Sequence, residues 1–432
     1  MHPCYRTKLG LNHDEYIRFS PEFERDIYLP IMSAYKPLMH HESLVGMCDY
    51  NDWFITEFPK QYKCWQAKME ELRLSINDYY PIFVHPWQYD HIVAKIFARL
   101  IKEKKLMLFE DICIKTQSSI SFRTLISLEH DCQPHIKLPV AIQSTSAIRT
   151  VSPASVQNGP NLSAILRQIL TKENSFGGSI KVVYEIHGLH IKENPDLAKN
   201  LSVIYRDNPS KLVASGHVPI VVASLFEKVP QTQKSLLKDV VDKAINNYNG
   251  SIIDYFSHYA DKVISAFFDL YIIYGIALEG HQQNTIMVFD NDYFPAYVIA
   301  RDLGGLKLHV PTLLNNGFDF EAYPQSSIVC GHEIELTNTF LHAVIQSHLG
   351  SVILSLAEEY SQSEDSFWQV VKHVLINRFN ELRDKVCPLK WQREYSAILE
   401  QDWQVKGLMR MRLNDVANDY VYITLKNPLT AV

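Results

Sequence analysis

Glu279, His281 and Asn284 fall within one hexapeptide, and Arg301 and Asp302 follow after two β-forming runs. Glu, Asn and Asp oxygens are hard ligands that suit Mg²⁺, whereas His and Arg donors suit phosphate. An apolar helix pattern from Ile252 to Leu278 delivers the first three residues. Thr285-Ile286-Met287-Val288-Phe289 then enters a turn at Asp290-Asn291-Asp292, and Tyr297-Val298-Ile299-Ala300 leads back to Arg301 and Asp302. Two such runs around a turn predict a hairpin, and a hairpin brings its ends together. Five polar groups would then converge. A capped helix end followed by an ordinary surface turn has the same letters, so the cluster alone leaves both readings open.

A second set sits where the period changes to strands. Leu106 to Phe109, Ile120 to Leu128 and Ile136 to Ile142 read as an antiparallel sheet, with Ser119, Ser121, Arg123, Lys137, Thr145 and Arg149 spaced along it. Strand parity places Arg123 with Ser119 and Ser121 on one face. If residues 145–149 form a turn of helix, Thr145 and Arg149 share a face. The solvent side of a half-buried sheet would carry the same polar residues.

Other elements frame these two sets. Helices are expected over 60–76, 86–104, 153–170, 231–246, 335–360 and 366–383, with strands at 180–191 and 201–206 and a last strand pair at 408–413 and 420–425. Residues 1–50 are rich in Pro, His and aromatics and show little periodicity. The fold class is therefore α+β, a mixed or antiparallel sheet domain packed against a mostly helical C-terminal domain. The expected divisions are 1–105, helical or extended; 106–215, sheet-containing; and 216–432, helical with the hairpin.

Composition narrows the function classes. The 432 residues are 47% hydrophobic and 21% charged, with a net charge of −6. This describes a globular chain with ample core and disfavours a nucleic-acid-binding surface. The seven cysteines are scattered, with no C-x-x-C pair, so neither a zinc site nor a disulfide framework is indicated. A reducing cytoplasm fits that usage. No apolar run reads as long enough to span a membrane, and the first residues lack the apolar core of a signal peptide. His40, His41 and most other histidines read as structural or surface residues, and His85-Pro86 as a helix start.

P-loop and dinucleotide glycine patterns are absent, as is the serine-hydrolase elbow. Asn284 and Asp302-Leu303-Gly304 are analogous to the Asn and Asp with which kinases hold their metal, but no H-R-D base motif accompanies them.

Several segments together resemble the IucA/IucC family, the siderophore synthetases that work without a non-ribosomal peptide assembly line. They are His2-Pro3-Cys4-Tyr5-Arg6-Thr7-Lys8-Leu9-Gly10, Val84-His85-Pro86-Trp87-Gln88 and Ser119-Ile120-Ser121-Phe122-Arg123-Thr124. Further along come Lys137-Leu138-Pro139-Val140, Thr145-Ser146-Ala147-Ile148-Arg149, Glu279-Gly280-His281-Gln282-Gln283-Asn284 and Arg301-Asp302. The resemblance implies ATP-dependent activation of a carboxylate of citrate or a citrate derivative as an acyl-adenylate, with loss of pyrophosphate. An amine or hydroxyl then attacks to give an amide or ester.

It also implies roles. Ser121, Arg123, Lys137 and Arg149 would contact phosphates or carboxylates, while Thr145 and His281 would stand near the reacting centre with Arg149. Glu279, Asn284 and Asp302 would hold Mg²⁺, and His2, Arg6, Lys8 and Arg149 would bind the carboxylate substrate. The nucleotide would lie in the cleft between sheet and helical domains of a cytoplasmic, membrane-free homodimer. Such a site must offset the repulsion between a polycarboxylate and a triphosphate, which fixed cations and a metal do.

Two departures stand out. Family members carry a sizeable domain before their first His-Pro segment, whereas here it begins at residue 2. Arg6 and Lys8 also stand where the family more often has Lys then Arg. A shortened, impaired or partner-dependent remnant and a kinase-like phosphotransferase are therefore the competing readings.

Overall fold

A computed structural model describes residues 8–144, 147–248, 250–407, 413 and 422–432. The chain forms two compact units. The first comprises Met1–Ile165, Tyr184–Lys211 and Ala322–Gln325; the second comprises Leu166–Val183, Leu212–Glu321 and Ser326–Val432.

The first unit is built on an eight-stranded sheet. Its spatial order is Met39–Ser43, Glu185–Ile191, Ser202–Arg206, His135–Lys137, Thr124–Ser127, Leu106–Ser118, Ile27–Tyr35 and Tyr79–Phe83. Every neighbouring pair is antiparallel. Three of these strands lie before residue 105, in the segment expected to be helical or extended. Ile27–Tyr35 is illegible in the sequence because it is buried almost throughout, with only Tyr28 exposed and Tyr35 half-buried. A strand covered on both faces shows no alternation, and Pro30 stands at a register shift, where a strand tolerates proline. Helices Tyr50–Glu57 and Pro59–Glu71 cover the sheet with Trp53, Phe54 and Trp65.

Two local expectations fail in this unit. Residues 119–123 are not strand but the connection between Leu106–Ser118 and Thr124–Ser127. Thr124 N–H donates to Ser121 O at 2.8 Å, a turn bond that abolishes the parity argument for Ser119, Ser121 and Arg123. Nor is the segment before Arg149 helical: Gln143–Ser144 pairs antiparallel with Ala147–Ile148, and Lys8–Leu9 adds a third strand. Thr145 and Ser146 lie outside the described residues, as do His2 and Arg6.

The second unit has a mixed four-stranded sheet in the order Ile180–Val182, Pro295–Ala300, Thr285–Phe289, Val218–Val221, with the first pair parallel. Its central helix, Ile252–Tyr274, starts with a Ser251/Asp254 capping box and is buried along most of its length. It ends earlier than expected because Gly275 takes φ 69°, the left-handed cap that glycine adopts without strain. Ile276–Ala277 then pairs with Lys307–Leu308.

Helix Glu364–Glu381 packs on the central helix, and Pro388–Leu399, absent from the sequence reading, follows it. Pro388 at its first turn was the available signal. The helical stretch Ile334–Tyr360 has 27 residues and contains an 18-residue window of mean hydropathy 1.5, so among the described residues one run is long and apolar enough to cross a membrane, against expectation. Sixty-one percent of that window is buried inside the protein, as in a core helix. The last strand pair is Trp403–Lys406 with Tyr422–Leu425. Of the expected first strand at 408–413, all but Leu413 lies outside the described residues.

Candidate functional site

In the second unit the hairpin closes as its turn chemistry requires. Asp290 Oδ1 accepts from Asp292 and Phe294 N–H, both at 2.9 Å, and Thr285 pairs with Ala300 at the open end. The ladder continues one step beyond the strands, where Arg301 N–H donates to Asn284 O at 3.0 Å. Asn284 and Asp302 are thereby brought to one place. The Arg301 guanidinium donates to Gln283 O through Nε at 3.2 Å and Nη2 at 2.8 Å. It is thus a clamp on the turn, where the sequence suggested only a phosphate ligand.

Asp302 takes φ 71°, which Asp tolerates better than most residues, and its Oδ1 accepts from Gly304 N–H at 3.2 Å. Glu279 reaches the same loop. A Cβ at Gly305 would stand 2.0 Å from Glu279 Oε2, so only glycine leaves room for that carboxylate. Beside Asn284, the Thr285 hydroxyl is buried with no hydrogen-bond partner in the structure. Two carboxylates and an amide on adjacent segments suit a hard cation. Mg²⁺ commonly uses only one or two carboxylates and takes its other ligands from water and phosphate. Among the described residues no group of three or more His, Cys, Asp or Glu is placed to hold a metal by itself.

In the first unit, Arg123 Nη1 donates to Thr150 O. Leu138 N–H donates to Arg123 O at 2.9 Å, and Thr124 stands opposite Lys137 in the ladder. Arg149 is tied by its backbone to Val140 at 3.0 Å and Ile142 at 2.9 Å. Three cationic residues therefore sit on adjoining segments, an arrangement that favours an anion. Ser121 lies in the turn that precedes Arg123. Lys8 is buried, with Nζ 2.8 and 3.1 Å from the Glu22 oxygens and 5.0 Å from the Tyr16 ring centre. A substrate carboxylate would have to share that ammonium with Glu22.

Other charged and titratable groups close on one another. His41 Nε2 and His187 Nδ1 are 3.0 Å apart inside an aromatic shell of Tyr50, Trp53 and Tyr80, so this histidine pair is core. A cavity of about 430 Å³ in the second unit is lined by His309, His332, Glu333, Thr337, Arg393 and Glu394, among others. Glu333 takes Lys390 at 2.9 Å and also Arg393. Glu394 accepts from Thr337 at 2.7 Å, from Arg393 Nη2 at 2.8 Å and from Tyr271. Burial would raise the Glu333 carboxyl, but Lys390 and Arg393 outweigh it and hold it down at about 2. Lys390, Arg393 and Glu394 lie on the helix that the sequence reading missed.

Comparison with known proteins bears on both units. A profile of the IucA / IucC family matches residues 1–227. One described as ferric iron reductase FhuF-like transporter matches residues 253–421. Staphyloferrin A synthase of Staphylococcus aureus is 32% identical over 431 residues, covering 99% of this chain and 70% of that protein. D-ornithine–citrate ligase of the same organism is 26% identical over 451 residues, covering 99% of this chain and 68% of its own. ATP-bound aerobactin synthetase IucA from Klebsiella pneumoniae shares the fold with a TM-score of 0.80 at 20% identity, over 99% of this chain and 74% of that one. With the family profile spanning more than half of its residues and a relative 32% identical along nearly all of it, the chain belongs to the IucA/IucC family of siderophore synthetases that work without a non-ribosomal peptide assembly line.

Proposed function

We propose that the protein is an ATP-dependent ligase that joins a carboxylate of citrate, or of a citrate derivative, to an amine or hydroxyl. The observation that carries this reading is the closure of the hairpin, Arg301 N–H on Asn284 O at 3.0 Å, which gathers Asn284 and Asp302 beside Glu279 in a member of this family. Its relatives' names add support: one joins citrate to an amine, and another was solved with ATP.

In the first step a substrate carboxylate oxygen attacks the α-phosphorus of ATP. The new P–O bond forms as the α–β anhydride bond breaks, and pyrophosphate leaves. In the second step an amine nitrogen or hydroxyl oxygen attacks the acyl carbon, AMP leaves and the nucleophile loses a proton. Ser121, Arg123 and Lys137 hold phosphate oxygens, and Arg149 bridges phosphate and carboxylate. Lys8, His2 and Arg6 would bind the substrate carboxylate, and Thr145 and His281 would act on the reacting groups. Glu279, Asn284 and Asp302 would hold Mg²⁺, which would neutralise phosphate charge. The protein works in the cytoplasm as a homodimer.

The test is incubation with MgATP, citrate and a panel of amines that includes ornithine, followed by phosphate analysis and mass spectrometry. Pyrophosphate and an amide are expected. ADP would mark a phosphotransferase instead, and no turnover would mark an impaired family member.

Gly305→Ala probes the metal cradle. The atom that an added methyl would strike is the mobile end of Glu279, so folding stability is expected to stay within roughly 1 kcal/mol. Displacement of that carboxylate should raise the Mg²⁺ concentration for half-maximal pyrophosphate release by about tenfold, or 1.4 kcal/mol. An unaltered Mg²⁺ titration would remove Glu279 from the metal site.

A further inference from the structure

The turn from Glu279 to Asn284 carries three of the proposed functional groups, yet it has no regular secondary structure of its own. It is held from outside. Gly280 packs so tightly on Phe267 that an added Cβ would stand 2.7 Å from the ring. Gln282 Nε2 donates to Ser347 O at 2.8 Å and to Ser351 Oγ at 2.5 Å, and Ala223 N–H donates to Gln282 O at 3.0 Å. Between these anchors, His348 Nδ1 lies 3.1 Å from Gly280 O, and its Nε2 lies 2.7 Å from Tyr259 Oη. Both side chains are buried.

The proton positions follow from the partners. A carbonyl oxygen only accepts, so Nδ1 must carry the hydrogen. In a neutral ring Nε2 then accepts, and the Tyr259 hydroxyl must donate. Burial opposes the imidazolium and pushes the ring down to about 4, so this tautomer holds at neutral pH. The chain of donors runs one way: Tyr259 O–H to His348 Nε2, His348 Nδ1–H to Gly280 O. His348 belongs to the π-helical segment Leu341–Leu349, a geometry that frequently marks functional sites.

We propose that His348, oriented by Tyr259, is a positioning residue that fixes the backbone of the 279–284 turn, and with it the placement of Glu279, His281 and Asn284. It touches no reacting group. Its role in turnover rests on the ligase reading above, whereas its hold on the turn does not.

The experiment therefore has two readouts on the full chain. Hydrogen exchange of the peptide spanning 278–285 reports the turn directly, and pyrophosphate release reports turnover. His348→Leu keeps bulk and removes the donor. His348→Asn keeps a nitrogen donor near the place of Nδ1. Tyr259→Phe releases the ring from its orienting partner and preserves the packing.

In His348→Leu, exchange at 278–285 is expected to accelerate at least tenfold while the helix Ile252–Tyr274 stays protected, and kcat should fall more than KM for ATP rises. His348→Asn should recover most of both effects, and Tyr259→Phe should lie between. Unchanged exchange in a folded His348→Leu, or in Tyr259→Phe should the leucine variant not fold, overturns the proposal. Equal loss in the asparagine and leucine variants also overturns it, because bulk packing rather than the donor would then be the cause. If the parent releases no pyrophosphate, the ligase reading fails, and the exchange result still decides the role of His348.

Discussion

Asp302→Asn is expected to lower pyrophosphate release by about 10²- to 10³-fold, or roughly 3–4 kcal/mol, the magnitude of one preorganised electrostatic contact to the transition state. Asp302 sits at φ 71°, a conformation that asparagine tolerates as well as aspartate. The side-chain amide oxygen still accepts from Gly304 N–H, as Oδ1 does at 3.2 Å. What changes is one negative charge at the proposed metal. Thermal unfolding should therefore stay within roughly 0.5 kcal/mol of the parent. Asp302→Ala would add the left-handed backbone cost, on the order of 1 kcal/mol, and confuse the two effects. Near-parental turnover by Asp302→Asn at saturating ATP and citrate would take Asp302 out of the metal site.

Steep loss of stability between pH 6.5 and 5 is the second large effect. Burial pushes His85 down to about 3, His187 to about 3 and His348 to about 4, each from an ordinary 6.5. Arg18 adds to the effect on His85, as His41 does on His187. The sign follows from linkage. Below pH 6.5 the unfolded chain takes up protons that the folded rings refuse, so stability is complete above 6.5 and falls as pH drops towards the folded values. Each ring then contributes a slope of up to about 1.4 kcal/mol per pH unit and a loss near 2 kcal/mol by pH 5. Three such groups remove about 6 kcal/mol, against a usual total of 5–15 kcal/mol. Urea unfolding followed from pH 7.5 to 5 measures this directly.

His85 isolates the cause. It packs edge-on to Phe19 at 4.8 Å, and neither ring nitrogen has a hydrogen-bond partner in the structure. An apolar residue of similar volume leaves no polar atom unsatisfied there. His85→Leu should thus match or exceed the parent at pH 7.5, and its stability should fall with pH by about 1.4 kcal/mol per unit less. An unchanged slope would show that the acid sensitivity has another origin.

The hairpin of the second unit was legible because everything that forms it is local. β-forming residues flank Asp290-Asn291-Asp292, and a closed ladder leaves Asn284 and Arg301 no choice but to meet. The long apolar helix was legible for the same reason, apart from the end set by Gly275. Residue types suggested the proposed chemistry, since carboxylate and amide oxygens suit a hard cation and guanidinium forks suit an anion.

Tertiary structure decided the rest. Ile27–Tyr35 is a strand because neighbours cover both faces, which erases the alternation that would announce it. Ser119–Arg123 is a β-rich run that nevertheless turns, because the strands on either side, Leu106–Ser118 and Thr124–Ser127, pair with each other. Whether Arg149 stood on a helix or a hairpin depended on the pairing of Gln143–Ser144 with Ala147–Ile148 and Lys8–Leu9. His348 lies 68 positions from the carbonyl it holds. No periodicity or motif encodes such a partner. Local letters specify turns, helix faces and the chemistry a side chain is able to do. Which buried nitrogen meets which carbonyl is settled only when distant segments pack into one core, where an unpaired polar group is costly.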